Sequence, residues 1–475
     1  MTEKLRPYLF YDVAISICST CYRRVDAKIV FEDGKVWMLK RCPQHGHARV
    51  LVADDVDYYR RSREAFIKTP EQPMVYNTPV KWGCPYDCGL CPDHEQHSCL
   101  TLVEICDACN LTCPICYAGS GLHRTEFRTL DQIAAMLDCV VRNEKEPDVV
   151  QISGGEPTLH PDFFRVLEMC KERPIHHLMV NTNGIRIAQD EEFAKRLVDF
   201  MPQFEIYLQF DSLKREPLMQ LRGADLRSIR EKALEQLNKL GISTTLVVTV
   251  KRGVNDGELG EIVDYALKQP AVRGVTFQPV QQAGRVQGFD SAQHRLTLTE
   301  VRRSILEQTD VFRPEDLIPV PCHPDALAMA YALKLGSKTV PLTGMVPPEV
   351  LIDGARNTIV YEQEAGLRDH LFKLFATNHS PSSQASTLKE LLCCLPKVLI
   401  PKNLGYKNLF RILIVQFIDA EAFDVRSVKK SCIHIAHPDG KRLIPFDTFN
   451  MFYRGELETT RLAGLRREEA EPVGV

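Results

Sequence analysis

The spacing of the cysteines constrains this chain more than any other feature. Seventeen occur in 475 residues, and eleven of them lie between Cys18 and Cys116, several as CxxC or CxxxCxxC. Such short spacings let neighbouring thiolates converge on one metal centre. The alternative, a disulfide framework, needs an oxidising compartment. Glu3, Lys4, Arg6 and Asp12 break up the N-terminus, which lacks the basic-then-apolar order of a signal peptide. The most apolar run, 410–418, contains Arg411 and Gln416 and falls short of the roughly 18 residues of a membrane span. The expectation is a cytoplasmic chain with no transmembrane segment, whose cysteines bind metal or iron-sulfur clusters.

Charge narrows the partners. With 59 basic and 62 acidic residues the formal net charge is −3, which provides no bulk attraction to phosphate backbones, so nucleic acid is excluded as the main partner. A content of 44% hydrophobic and 25% charged residues is that of an ordinary globular protein.

From Leu100 onward, short apolar runs alternate with helical windows in the βα rhythm of a parallel sheet. Strands are predicted at Leu100–Cys106, Val149–Ser153, His177–Thr182, Phe204–Phe210, Ser243–Val250 and Gly274–Pro279. Helices are predicted at Leu130–Asn143, Pro161–Arg173, Glu191–Phe200, Ser228–Gly241 and Gly257–Gln269. Six such units predict an α/β fold, a partial (β/α)6 TIM-type barrel. The expected division is a mononuclear metal module at 1–60, an auxiliary cluster segment at 61–99, the barrel at 100–315 and a mixed C-terminal domain at 316–475.

Cys109-Asn-Leu-Thr-Cys113-Pro-Ile-Cys116 follows the first predicted barrel strand, at the end where barrel active sites form. Three thiolates on one loop can hold three irons of a 4Fe-4S cube and leave the fourth open to substrate; half a zinc site is the competing reading. Gly154-Gly155-Glu156-Pro157 ends the second strand. Its glycines permit close approach of a ligand, and its carboxylate can accept hydrogen bonds from an ammonium group. Cys84, Cys88 and Cys91 repeat the CxxxCxxC spacing without a glycine-glutamate strand after it. With Cys99 or Cys106 as fourth ligand they form a closed auxiliary cluster, or else a zinc knuckle. His94 and His97, between them, read as solvated loop residues. Cys18, Cys21, Cys42 and His45 sit on two turns joined by a hairpin through Asp33-Gly34, the arrangement of one tetrahedral iron or zinc ion. Cys322, Cys393, Cys394 and Cys432 are scattered, and their ordinary reading is buried free thiol.

CxxxCxxC followed by GGEP resembles the radical SAM superfamily. The run of CxxC…CPxHG, CPYDCGLCP, CNLTCPICYA, GGEPTLHP and the late CIH…DGKRLIPFDTFNMFYR resembles the group containing the archaeal tetraether lipid synthase, one member of which has been described as a pterin methyltransferase. The resemblance implies that Cys109, Cys113 and Cys116 hold a catalytic 4Fe-4S cluster that binds S-adenosylmethionine, with Gly154, Gly155 and Glu156 at the methionine amine. It also implies that Asn181, Asn183, Gln209 and Asp211 reach the cofactor's ribose and carboxylate. Val254-Asn255-Asp256 and Gln278-Pro279 close the later strands. Auxiliary 4Fe-4S clusters, a mononuclear iron or zinc and an electron donor such as ferredoxin or flavodoxin are implied too. Ala326 and Asp447 fall where archaeal relatives are richer in cysteine; a third cluster drawn from Cys322, Cys432 and one or both of Cys393 and Cys394 is the corresponding expectation.

The implied reaction is reductive cleavage of S-adenosylmethionine to a 5′-deoxyadenosyl radical that attacks an unactivated C–H. The leading expectation is carbon-carbon bond formation on lipid chains, with peripheral membrane contact and an apolar channel walled by Phe410–Ile418 and Leu443–Tyr453. The alternative is methyl or one-carbon transfer to a pterin-like small molecule. A non-enzymatic iron-sulfur or zinc protein is the third reading.

Overall fold

A computed structural model describes residues 6–336, 338–345, 352 and 406–470. The N-terminal part is an antiparallel meander of β1 (Leu9–Ile17), β2 (Arg24–Glu32), β3 (Lys35–Cys42) and β4 (Gly46–Ala53). Asp33 and Gly34 both take positive φ, the two-residue turn whose twist matches a tight hairpin. The alternating residues Ala27, Ile29, Val36 and Met38 are buried and pack with Tyr59, from the helix Val56–Glu64.

The central sheet contains the six strands expected from the sequence: β5 (Leu100–Glu104), β7 (Val149–Ser153), β8 (His177–Thr182), β9 (Phe204–Gln209), β10 (Thr244–Val250) and β11 (Val272–Pro279), each parallel to the next. A short β6 (Ile115–Cys116) lies in the loop after β5. β5 ends two residues early because Cys106 leaves the sheet to bridge Phe127. Helices Leu130–Glu144, Phe163–Lys171, Arg227–Leu240 and Leu259–Lys268 alternate with these strands. The predicted helix 191–200 is α-helical to Arg196 and then tightens to a 3₁₀ turn through Phe200. Strand interiors such as Val150, Ile152, Val180, Ile206, Leu246 and Val248 are fully buried against helix residues such as Met136, Leu137, Val166 and Leu237, which is why both periodicities were visible in sequence.

The described residues beyond 316 are mixed in structure, and they also lengthen the barrel. After β12 (Arg285–Val286) and β13 (Ile318–Pro319) come β14 (Leu327–Leu335), β15 (Lys338–Pro341), β16 (Leu409–Val415), β17 (Ile433–Ala436) and β18 (Leu443–Pro445). β16 pairs parallel with β11, and β17 pairs parallel with β5. The parallel run is therefore β17-β5-β7-β8-β9-β10-β11-β16, flanked by antiparallel β18 and β14. Residues 416–432 connect the two edges of this open barrel. No described helix is long and apolar enough to cross a membrane.

Candidate active site and metal centres

Cys109, Cys113 and Cys116 border one pocket at the C-terminal ends of the barrel strands, together with Gly154, Gly155, Glu156, Asn181, Asn183 and Gln209. The loop carrying the thiols is pressed onto the strand end. Gly155 N donates to Cys106 O and Glu156 N to Ala108 O, both at 2.8 Å. A Cβ on Gly154 would overlap the Cys106 carbonyl oxygen, and one on Gly155 that of Ala108. The close approach that demands these glycines is thus made by the cysteine loop itself, where the sequence had suggested a ligand. Arg285 pins the loop from the other side, donating to Cys113 O at 2.6 Å and Ser120 O at 2.5 Å, while its strand β12 pairs with β6. Burial pushes the Cys109 thiol up to about 12. A thiol buried to that degree ionises against a cation, and iron supplies one, so the donor set fits a cluster held on three sides.

The polar residues form a relay across the strand ends. Asn181 Nδ2 donates to Ser153 Oγ at 3.2 Å, Gln209 Nε2 to Asn181 Oδ1 at 2.8 Å, and Arg222 Nη2 to Gln209 Oε1 at 2.9 Å. Asn183 Nδ2 donates to Asn110 Oδ1 at 2.6 Å, tying β8 to the cysteine loop. Glu156 is buried and accepts from the hydroxyls of Thr158 and Thr182 and from Asn183 N, at 2.6 to 2.7 Å. Burial nonetheless raises its pKa. Asp211 departs from expectation. It does not border the pocket but lies beneath it, accepting from Arg222 Nε at 2.6 Å and Nη2 at 2.5 Å. Burial works to raise its pKa and the Arg222 guanidinium more than offsets this, holding it below the usual value. Asp211 therefore positions Arg222.

Arg222, which no motif marked, also lies against Cys113, where its charge and hydrogen bonding lower the thiol's pKa against the dominant effect of burial. Arg230, Tyr117, Gln281, Phe417 and Phe446 border the pocket as well. Phe417 and Phe446 stack at 3.8 Å between centroids, and Phe446 meets Tyr117 edge-on at 4.9 Å. Gln278 Nε2, also at the pocket, donates to Tyr207 Oη at 3.1 Å.

Cys84, Cys88 and Cys91 lie in a loop packed against the chain's C-terminal part. Thr448 Oγ1 donates to Cys88 Sγ at 3.0 Å, and Cys88 N donates to Tyr453 Oη at 2.7 Å. Neither expected fourth ligand joins them. Cys106 stacks under Gly154, with Sγ 3.4 Å from Glu156 O. Cys99 instead stands with Cys322 and Cys432, the three sulfurs all within 4.8 Å of one another. Sequence proximity was misleading because β17 lies beside β5 and brings Cys432 next to Cys99. Cys322 and Cys432 stand 3.7 Å apart; Cys393 and Cys394, the other candidates for a third cluster, lie outside the described residues. His94 and His97 are not solvated. His94 is buried, with Nε2 2.9 Å from Ser431 O, and burial lowers its pKa to about 4. His97 Nδ1 is 3.0 Å from Glu144 Oε2, and its Nε2 is 3.5 Å from Cys99 Sγ.

At the N-terminus, Cys18, Cys21, Cys42 and His45 converge within 4.8 Å. Cys21 and Cys42 are 3.8 Å apart, and His45 Nδ1 is 3.6 Å from Cys18 Sγ and 3.5 Å from Cys42 Sγ. All four residues of the predicted mononuclear set come together.

A family model of the radical SAM superfamily matches residues 103–266, and one of the HMPTM N-terminal zinc ribbon domain matches residues 10–54. The 7,8-dihydro-6-hydroxymethylpterin dimethyltransferase of Methanocaldococcus jannaschii is 30% identical over 500 aligned positions, covering 94% of this chain and 94% of that protein. The GTP 3′,8-cyclase of Pectobacterium atrosepticum is 26% identical over 235 positions, 47% of this chain and 68% of that one. Among solved structures, Streptococcus suis SuiB bound to S-adenosylmethionine aligns with a TM-score of 0.36 at 18% identity, over 44% of this chain and 46% of SuiB. With a superfamily match centred on the barrel and one relative similar from end to end, the chain belongs to the radical SAM superfamily, in the family of the Methanocaldococcus jannaschii dimethyltransferase.

Proposed function

We propose that this radical SAM enzyme transfers a methyl or other one-carbon unit to a pterin-like heterocycle. The observation that carries the reading is the make-up of the pocket. Amides of Gln278 and Gln281 share its wall with the stacked Phe417 and Phe446 rings. Amide donors and acceptors beside aromatic faces suit the edges and faces of a planar bicyclic ring, whereas an alkyl chain has no partner for them. The name of the Methanocaldococcus relative points the same way.

The lipid expectation relied on two apolar stretches as channel walls. Phe410–Ile418 and Leu443–Tyr453 lend Phe417 and Phe446 to the pocket, and Phe410, Ile412, Ile414, Leu443, Ile444 and Phe452 are fully buried in the core. Little of either stretch is left to line a long channel.

Superfamily membership brings a 4Fe-4S cluster and S-adenosylmethionine as cofactors. In this reading Cys109, Cys113 and Cys116 hold the cluster, and Glu156, Asn181, Asn183 and Gln209 orient S-adenosylmethionine. When bound, the pair supplies reductive cleavage of a sulfur-carbon bond and with it an oxidant strong enough for an inert C–H. The chain's own contribution is placement. Arg222 sets positive charge beside Cys113, the Ser153–Asn181–Gln209 relay fixes the amide orientations, and Tyr117, Phe417 and Phe446 keep water from the pocket. The reductant is an external one-electron donor of the ferredoxin or flavodoxin class.

The test is anaerobic turnover of reconstituted protein with S-adenosylmethionine, reductant and 7,8-dihydro-6-hydroxymethylpterin. The expected result is 5′-deoxyadenosine formation that rises with the pterin, and a methylated pterin by mass spectrometry. Turnover indifferent to pterin and stimulated by a long-chain lipid would reverse the choice.

A further inference from the structure

We infer that Cys99, Cys322 and Cys432 bind a single thiophilic ion of the zinc(II) or iron(II) class, rather than a third cube, and that this ion clasps the two edges of the open barrel. Sulfur spacing is the main argument. A tetrahedral ion with metal–sulfur bonds of about 2.3 Å sets its thiolates about 3.8 Å apart. Cys322 and Cys432 stand 3.7 Å apart, and all three sulfurs fall within 4.8 Å of one another. The N-terminal set shows the same spacing, with Cys21 and Cys42 at 3.8 Å. Thiolates on a cube bind different irons and diverge. Among the described residues neither CxxxCxxC triplet forms so tight a group.

A fourth donor stands alongside. His97 Nε2 is 3.5 Å from Cys99 Sγ, and its Nδ1 is 3.0 Å from Glu144 Oε2. Glu144 is itself held by Ser98 N at 3.0 Å. A carboxylate on Nδ1 is the usual arrangement behind a metal-bound histidine, and Nε2, which also faces Glu71 Oε2 at 3.3 Å, exchanges that contact for the ion. His97 falls within 4.8 Å of Cys99 and Asp148 rather than of all three thiols, so closing the shell takes a turn of its side chain away from Glu71.

The position explains what such an ion does. Cys99 precedes β5 and Cys432 precedes β17, adjacent parallel strands in which Leu100 pairs with Ile433. Cys322 comes from the segment before β14, which pairs with β16 on the far edge. Leu327, Val415 and Cys432 share one apolar cluster with Cys99 and Cys322 packed against it. One ion on these three thiols therefore joins chain from both sides of the barrel's opening, and its binding free energy adds to folding directly.

Counting metal against acid-labile sulfide tests this in the full chain, reconstituted anaerobically with iron, sulfide and zinc. Cubes contribute iron and sulfide one for one, so metal in excess of sulfide counts the single ions. The expected excess is about two per chain, one at the N-terminal set and one here. Cys322→Ser should lower it by about one and leave sulfide unchanged. Loss of about four irons together with about four sulfides in that variant would make the site a cube and overturn the inference, as would no change in metal at all. Should Cys322→Ser fail to fold, Cys21→Ser gives an independent reading. It empties the N-terminal set and should leave about one excess ion, in a sulfur-dominated tetrahedral shell by X-ray absorption. No residual ion would overturn the inference.

Discussion

Residues 84–91 and 109–116 carry the same CxxxCxxC spacing in opposite surroundings. The second loop rests on the glycines of β7, and its thiols border a pocket that also holds amides and the Arg222 guanidinium. The first is wrapped on itself. The Asp87 carboxylate accepts from the backbone N–H groups of Lys81, Trp82 and Gly83, Thr448 covers Cys88, and Cys88 packs in an apolar cluster with Tyr86, Phe452 and Tyr453. Spacing determines how many thiols reach one centre. The neighbours determine whether a substrate can reach it too.

Breaking each loop in turn gives the largest expected effect. Cys109, Cys113 and Cys116 changed together to Ala should take 5′-deoxyadenosine formation to background, measured by chromatography after reduction. Cys84, Cys88 and Cys91 changed together to Ala should remove about four irons and leave the S-adenosylmethionine-sensitive resonance of the other cluster in the electron paramagnetic spectrum. Equal loss of that resonance in both variants would erase the distinction.

Arg222→Met comes next, because it removes the nearer cation of the buried Asp211 carboxylate and leaves Arg230, 3.8 Å away, as the remaining one. A lost partner of this kind costs about 3–5 kcal/mol, to be read by denaturant unfolding. Since the pair holds Asp211 below its ordinary 3.8, its contribution is full above that pH and fades as acid takes the pH through the lowered value. The wild-type advantage over Arg222→Met should shrink accordingly in acid.

The glycines offer a matched pair. Gly155→Ala drives a methyl into the Ala108 carbonyl, and Gly89→Ala drives one into Thr78; overpacking of this sort costs about 1–3 kcal/mol. The first should cut S-adenosylmethionine cleavage about tenfold or more, and the second should lower iron content while sparing cleavage. The smallest effect belongs to Thr448→Val, which removes one hydrogen bond to Cys88 Sγ and should cost about 0.5–1.5 kcal/mol with unchanged turnover.

The six barrel strands were legible because each is an unbroken apolar run between amphipathic helices, and the N-terminal metal set because its ligands sit on two turns of one hairpin meander. What escaped depended on contacts between distant segments. Cys99 was assigned by nearness in sequence to Cys91, whereas its neighbours lie more than 200 residues away. Asp211 was placed on the cofactor because it ends a strand beside Gln209, and its positive φ turns it instead toward Arg222. Arg222 and Arg285 belong to no motif, and their roles come from ion pairing and loop pinning that only the fold creates. His94 and His97 looked solvated because their partners come from elsewhere in the chain, Ser431 and His434 for His94 and Glu144 for His97. Apolar character in Phe410–Ile418 was plain, but not that it would extend the barrel beyond β11.

That last strand has a consequence for how the protein is made. The six-stranded core is complete in sequence by Pro279, yet its outer strands β5 and β11 take their partners from residues 433–436 and 409–415. Until those residues leave the ribosome, a nascent chain presents two bare strand edges, the template for mispairing with another chain. The barrel's margins are thus finished last, and anything that guards a nascent polypeptide has to do so across the synthesis of about 155 residues.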